Sequence, residues 1–138
     1  MRSQAVRGTR TIPMLLALGL VSAAGLAHAD LKAALAERDL GKRSKLALDN
    51  AGSALKEARG AYQKGDTTSL AAAAAEVNES VDLAWASLES TGKNPRKSPR
   101  WFKQAEIETR NLLKKLDSLQ RDMGFEDRPV LDKAKKTC

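Results

Sequence analysis

Residues Leu70–Leu88 read LAAAAAEVNESVDLAWASL. Leu70, Ala74, Val77, Val81, Ala84 and Leu88 recur at alternating intervals of four and three, with Trp85 beside them. That spacing lines up one stripe of an α-helix, whereas a half-buried strand would alternate every second residue. Ala71–Ala75 is a run of five alanines, but its neighbours keep the helical period, so the run reads as close-packed helix rather than linker. Alanine lets helix axes approach closely while burying little area, each Å² contributing roughly 0.025 kcal/mol.

The same pattern recurs on both sides. Leu48, Ala51, Leu55, Ala58 and Tyr62 form one seam upstream. Downstream, Phe102, Ala105, Thr109, Leu112, Leu116, Leu119 and Met123 form another, interrupted only by Thr109. Three such stripes predict an all-α, antiparallel three- to four-helix bundle with shallow crossing angles. Gly65 suits a left-handed cap, and Asp66, Thr67 or Thr68 can cap the next helix, so the link is short enough to force antiparallel packing. Gly92–Pro95 closes the second helix, and Ser98-Pro99 opens the third with serine as cap and proline at the first helical position. Gly52 in mid-helix costs about 1 kcal/mol relative to alanine, through either a tight helix contact or a tolerated defect. Asp30–Arg38 is read as a separate turn or two before a bend near Gly41. After Gly124–Arg128, the stretch Pro129–Lys136 is either a short last helix or a frayed tail.

The first 29 residues have the form of an export leader. Arg2, Arg7 and Arg10 precede an apolar stretch from Met14 to Leu26, and Ala27-His28-Ala29 supplies the small-x-small cleavage pattern. The apolar core of 13 residues falls short of the roughly 20 needed to cross a bilayer, and no later segment is long enough. Residues 30–138 are therefore expected to form a single exported bundle domain, periplasmic or secreted. Cleavage removes three arginines and lowers the formal net charge from +7 to +4. The basic character lies in the second half: Gly92–Cys138 holds 13 basic and 7 acidic residues, against 8 and 10 in Asp30–Thr91. A chain of this length buries about 65% of its unfolded surface, which is enough for a core without staples. Cys138 is the sole cysteine, so no internal disulfide forms; it either joins a second molecule or is a mobile, incidental terminus.

Cleavage also removes the only histidine, His28. A serine or cysteine nucleophile is left without an imidazole base, one thiol cannot build a zinc site, and haem has neither an axial histidine nor a Cys-x-x-Cys-His attachment. No catalytic residue, metal or cofactor is assigned. Glu76, Glu79 and Asp82 follow at intervals of three near one helix face, which suits either a divalent cation or, more commonly, a solvated acidic face. No phosphate loop, dinucleotide fingerprint or nucleophile elbow is present.

Gly92–Lys103 carries the most functional potential. Lys93, Arg96, Lys97, Arg100 and Lys103 lie between Glu89 and Glu106 with no acid among them, around a helix start and beside Trp101. Free N–H groups and the helix dipole add to their pull on anions. The set suits a phosphate, an acidic glycan, a lipid head group or a nucleic acid backbone. The competing reading is a solvated loop, with Trp101 and Phe102 plugging the end of the bundle near Trp85.

Ser44–Asp66, SKLALDNAGSALKEARGAYQKGD, and Thr91–Leu119, opening TGKNPRKSPRWFKQAEIETRNLLKKL, together resemble a group of small exported bacterial helical proteins with no assigned activity. That resemblance covers about half of the chain after the leader and implies no particular site residues. Ala58, Tyr62, Gly65 and Asp66 resemble the helix–turn–helix of a tetratricopeptide repeat, although no second copy follows at its period. The expectation is a non-enzymatic binding or structural module of the cell envelope, with an unknown protein partner or self-association through a helix face. The alternative is an anion binder working through residues 92–103.

Overall fold

The computed structural model describes residues 26–138, the first five of them by backbone alone. Most of the expected leader lies outside the described residues; its last four residues begin the first helix. The elements are α1 (Leu26–Ala36), α2 (Leu40–Gln63), α3 (Thr67–Glu89), α4 (Pro99–Asp122), a 3-10 turn (Arg128–Leu131) and α5 (Asp132–Thr137). There is no strand among the described residues, and the molecule is an all-α bundle. None of these helices is long and apolar enough to cross a membrane.

Sequence signals set the helix ends. Asp39 caps α2 by accepting from the Lys42 N–H at 2.9 Å. Gly65 adopts φ +70° after α2 and Gly92 adopts φ +63° after α3, where a side chain would be strained. Asp66 caps α3, accepting from the Ser69 hydroxyl at 2.6 Å and the Ser69 N–H at 3.0 Å. Those bonds, the hydroxyl first, hold the Asp66 carboxyl below the usual carboxylate range. The cap's contribution is therefore present above the ordinary carboxylate pKa and is lost as pH falls through the lowered value.

The three long helices run up, down and up. Gly41 at the start of α2 meets Trp101 at the start of α4, and at the other end Tyr62 Oη accepts from the Gly124 N–H at 2.9 Å. Helices α2 and α4 are thus parallel, with α3 antiparallel to both. The most extensive packing is between α2 and α3, and the buried residues on these two helices include many alanines, Ala47, Ala51, Ala54, Ala58, Ala73 and Ala74, which let helix axes approach. Larger side chains on α4, Leu112, Leu116 and Leu119, fill the remaining groove and are buried to 5% exposure or less. Every expected seam position on α3 is buried except the flanking Trp85, which is half-buried.

Several details depart from the sequence expectations. The bend before α2 falls at Glu37–Asp39, two residues ahead of Gly41, because Asp39 already caps the helix there. Gly41 lies inside α2 and is buried. Gly52 makes no tight helix contact, since a methyl built there meets no atom within 4 Å; it lines an open groove between α2 and α4 beside Lys56 and Lys115. Glu76 is no part of a solvated acidic row. It is 5% exposed and accepts from Asn50 Nδ2 at 2.9 Å, an amide that also donates to Ser80 Oγ at 3.0 Å. Glu79 and Asp82 are exposed, and Asp82 accepts from Asn78 Nδ2 at 3.2 Å. Thr109 is buried in its seam, and its hydroxyl makes no hydrogen bond.

The tail after Gly124 docks on the bundle rather than fraying. Leu131 and Ala134 are buried to 1% exposure or less. Gln120 Nε2 donates to Arg128 O at 2.9 Å and to Asp132 Oδ1 at 2.8 Å. Lys135 Nζ reaches Gln120 Oε1 at 2.7 Å and Asp117 at 2.6 Å, and the Thr137 hydroxyl donates to the side-chain amide oxygen Oδ1 of Asn78 on α3. Helix α5 therefore supplies a short fifth piece of the bundle, after α1, whose Ala34 is fully buried in the core.

Candidate anion-binding face

The loop from Gly92 to Ser98 is held by its own polar groups. Thr91 Oγ1 donates to Leu88 O at 2.6 Å and accepts from the Lys93 N–H at 3.2 Å. Asn94 Oδ1 accepts from the Arg96 N–H at 2.9 Å, and the Asn94 carbonyl accepts from Lys97 and Ser98 at 3.0 and 2.9 Å. These short bonds fold the turn with its basic side chains outward. Lys93, Arg96, Lys97, Arg100 and Lys103 are all exposed.

Pro99 stands at the start of α4, as the Ser-Pro pair implied. Ser98 occupies the cap position with φ −133° and ψ 66°, but its side chain makes no capping hydrogen bond. The first N–H groups of α4 are therefore not covered by the expected serine.

Trp101 is the fixed point of the site. It is half-buried, and a methyl built on Gly41 would lie 2.6 Å from its Cε2, so the indole occupies the space that the missing side chain leaves open. The Arg100 guanidinium stands 5.3 Å from the ring centroid, within cation–π range. The sequence offered Gly41 only as a bend; its packing role depends on which helix crosses it, which local spacing does not reveal.

Lys93, Arg100, Trp101 and Lys103 line one open recess of about 390 Å³ with Ser98 and Pro99. A second recess of about 490 Å³ adjoins it, lined by Trp85, Pro95, Pro99, Phe102, Lys103 and Glu106. Pro99 and Lys103 belong to both. Arg96 and Lys97 share the loop but line neither recess. The structure thus brings together four of the six expected residues, and it also packs Trp101 and Phe102 against the core at the same end as Trp85.

The ion pairs among the described residues are Lys45–Asp49, Arg59–Asp122, Arg110–Glu106 and Lys135–Asp117. None involves the five loop and first-turn cations, so their charge is directed to solvent. Among the described residues, no three carboxylate, thiol or imidazole groups cluster as metal ligands would.

Cys138 caps α5 and is half-buried against the core rather than loose. Burial pushes its thiol up to about 11, which keeps it protonated near neutrality. At pH 8 it is expected to react with an aromatic disulfide reagent at least about tenfold more slowly than a cysteine in a short peptide. An equal rate would show that the C-terminus does not dock.

No family model, no curated protein and no solved structure matches the chain.

Proposed function

We propose that this chain is an exported, non-enzymatic helical-bundle protein of the bacterial cell envelope that binds anionic ligands at the end of the bundle formed by residues 92–103. The observation that carries the reading is the run of five cations without a carboxylate partner, placed around the start of α4 and around a Trp101 fixed by Gly41. Such an array raises the local concentration of anions, and the helix start adds N–H groups and its dipole. The leader pattern in residues 1–29 supports the export part of the proposal. A protein partner bound through a helix face is the second reading, favoured by Leu35 on α1 and Leu46 on α2, which are 53% and 38% exposed.

Replacing Arg96, Lys97 and Arg100 together by glutamine tests the first reading. At low salt the variant is expected to bind anionic liposomes or duplex DNA tenfold or more weakly than the wild type, about one power of ten being conservative for three charges. The two proteins should converge as salt rises. Equal binding across the whole salt series would remove the loop from the binding surface.

A further inference from the structure

We infer that the anion-binding face continues along the outer side of α4 and that its occupant is the surface of an anionic lipid bilayer; the inference rests on the anion-binding reading above. Opposite the buried seam of α4, Arg100, Lys103, Ile107, Arg110, Lys114 and Arg121 follow one another at helical spacings, with Ser118 completing the line. All six are exposed. From Arg100 to Arg121 the line is about 32 Å long at 1.5 Å per residue. The acids of α4, Glu106, Glu108, Asp117 and Asp122, fall on the flanks between this line and the core, never on the line itself. Only Arg110 is drawn to one of them, Glu106, in a pair exposed on both sides.

The shape of this array selects its ligand. A small phosphate needs donors that converge, and these diverge along a straight helix. The line is matched by a plane of negative charge, where each lysine or arginine near the surface strengthens binding about fivefold. A soluble polyanion could follow the same line, but two observations favour the bilayer. Ile107, 50% exposed in the middle of the line, and Phe125, 84% exposed just past the end of α4, are apolar groups that a soluble polymer does not need and an acyl boundary accepts. The Arg100 guanidinium already stands over the Trp101 ring, so a base or a sugar would have to displace it to stack there.

Co-sedimentation of the full chain with vesicles of phosphatidylglycerol and phosphatidylcholine in equal parts, at about 0.1 M salt, tests the inference. The double variant Lys114→Gln, Arg121→Gln is expected to partition about 20-fold more weakly. Ile107→Ser should weaken vesicle binding severalfold while leaving duplex DNA binding unchanged. All three positions are exposed, so circular dichroism should show the helices intact. If the double variant binds vesicles like the wild type while the loop triple variant is weakened, or if Ile107→Ser changes nothing, the inference falls and the loop reading stands. Wild-type binding to DNA without binding to vesicles has the same meaning. Wild-type binding to neither would overturn both.

Discussion

Truncating Leu131 to alanine is expected to destabilise the bundle by about 3 kcal/mol, lowering Tm on the order of 15 °C. Leu131 lies in the 3-10 turn before α5 and is fully buried. The loss has two parts, the transfer free energy of the removed carbons and the cavity left behind. The cavity does not collapse readily, because Gln120 holds both Arg128 O and Asp132 Oδ1, fixing the backbone on either side of Leu131. The measurement is reversible thermal unfolding followed by circular dichroism. A change under about 0.5 kcal/mol, the usual size for an exposed position, would show that the tail is an appendage and not part of the core.

Replacing Gly41 by valine is expected to destabilise by about 2–3 kcal/mol through overpacking. Valine's Cβ would stand 2.6 Å from Trp101 Cε2 and 2.8 Å from Cδ2 and Nε1. Indole is rigid and its atoms at the contact are not a flexible end, so either the ring or the start of α4 must move. Both responses disturb the recess lined by Lys93, Arg100 and Lys103. The variant should therefore lose near-ultraviolet circular dichroism from tryptophan and also bind anionic vesicles more weakly. An unchanged Tm would mean that Trp101 does not rest on α2.

How much of this could be read from sequence depends on the range of the interaction. The seams of α2, α3 and α4 were legible because burial repeats every three to four residues, and Val77, Val81, Leu112 and Leu116 all lie where that period puts them. The turn glycines Gly65 and Gly92 were legible because positive φ is a local demand. Glu76 was not, since its burial depends on Asn50 twenty-six positions earlier. Gly41 was read as a bend for the same reason: its partner, Trp101, is supplied by a distant helix. The tail stayed open between helix and coil because six residues of α5 carry too little periodicity, and its order comes from Gln120, Asp117 and Asn78 on other helices. Within the candidate site, the loop cations stood out as a run without acids, while the continuation to Lys114 and Arg121 emerges only when α4 is viewed down its axis with its buried side known.

In the proposed interaction one face, running from the basic loop onto α4, meets the anionic ligand. Lysine acylation of the full chain, quantified by mass spectrometry with and without anionic vesicles, tests it most directly. Lys93, Lys97, Lys103 and Lys114 should be protected severalfold, while Lys32, Lys56 and Lys64, on α1 and α2 and the turn after them, should react as before. Equal reactivity of all seven, or protection confined to Lys32, Lys56 and Lys64, would contradict the account.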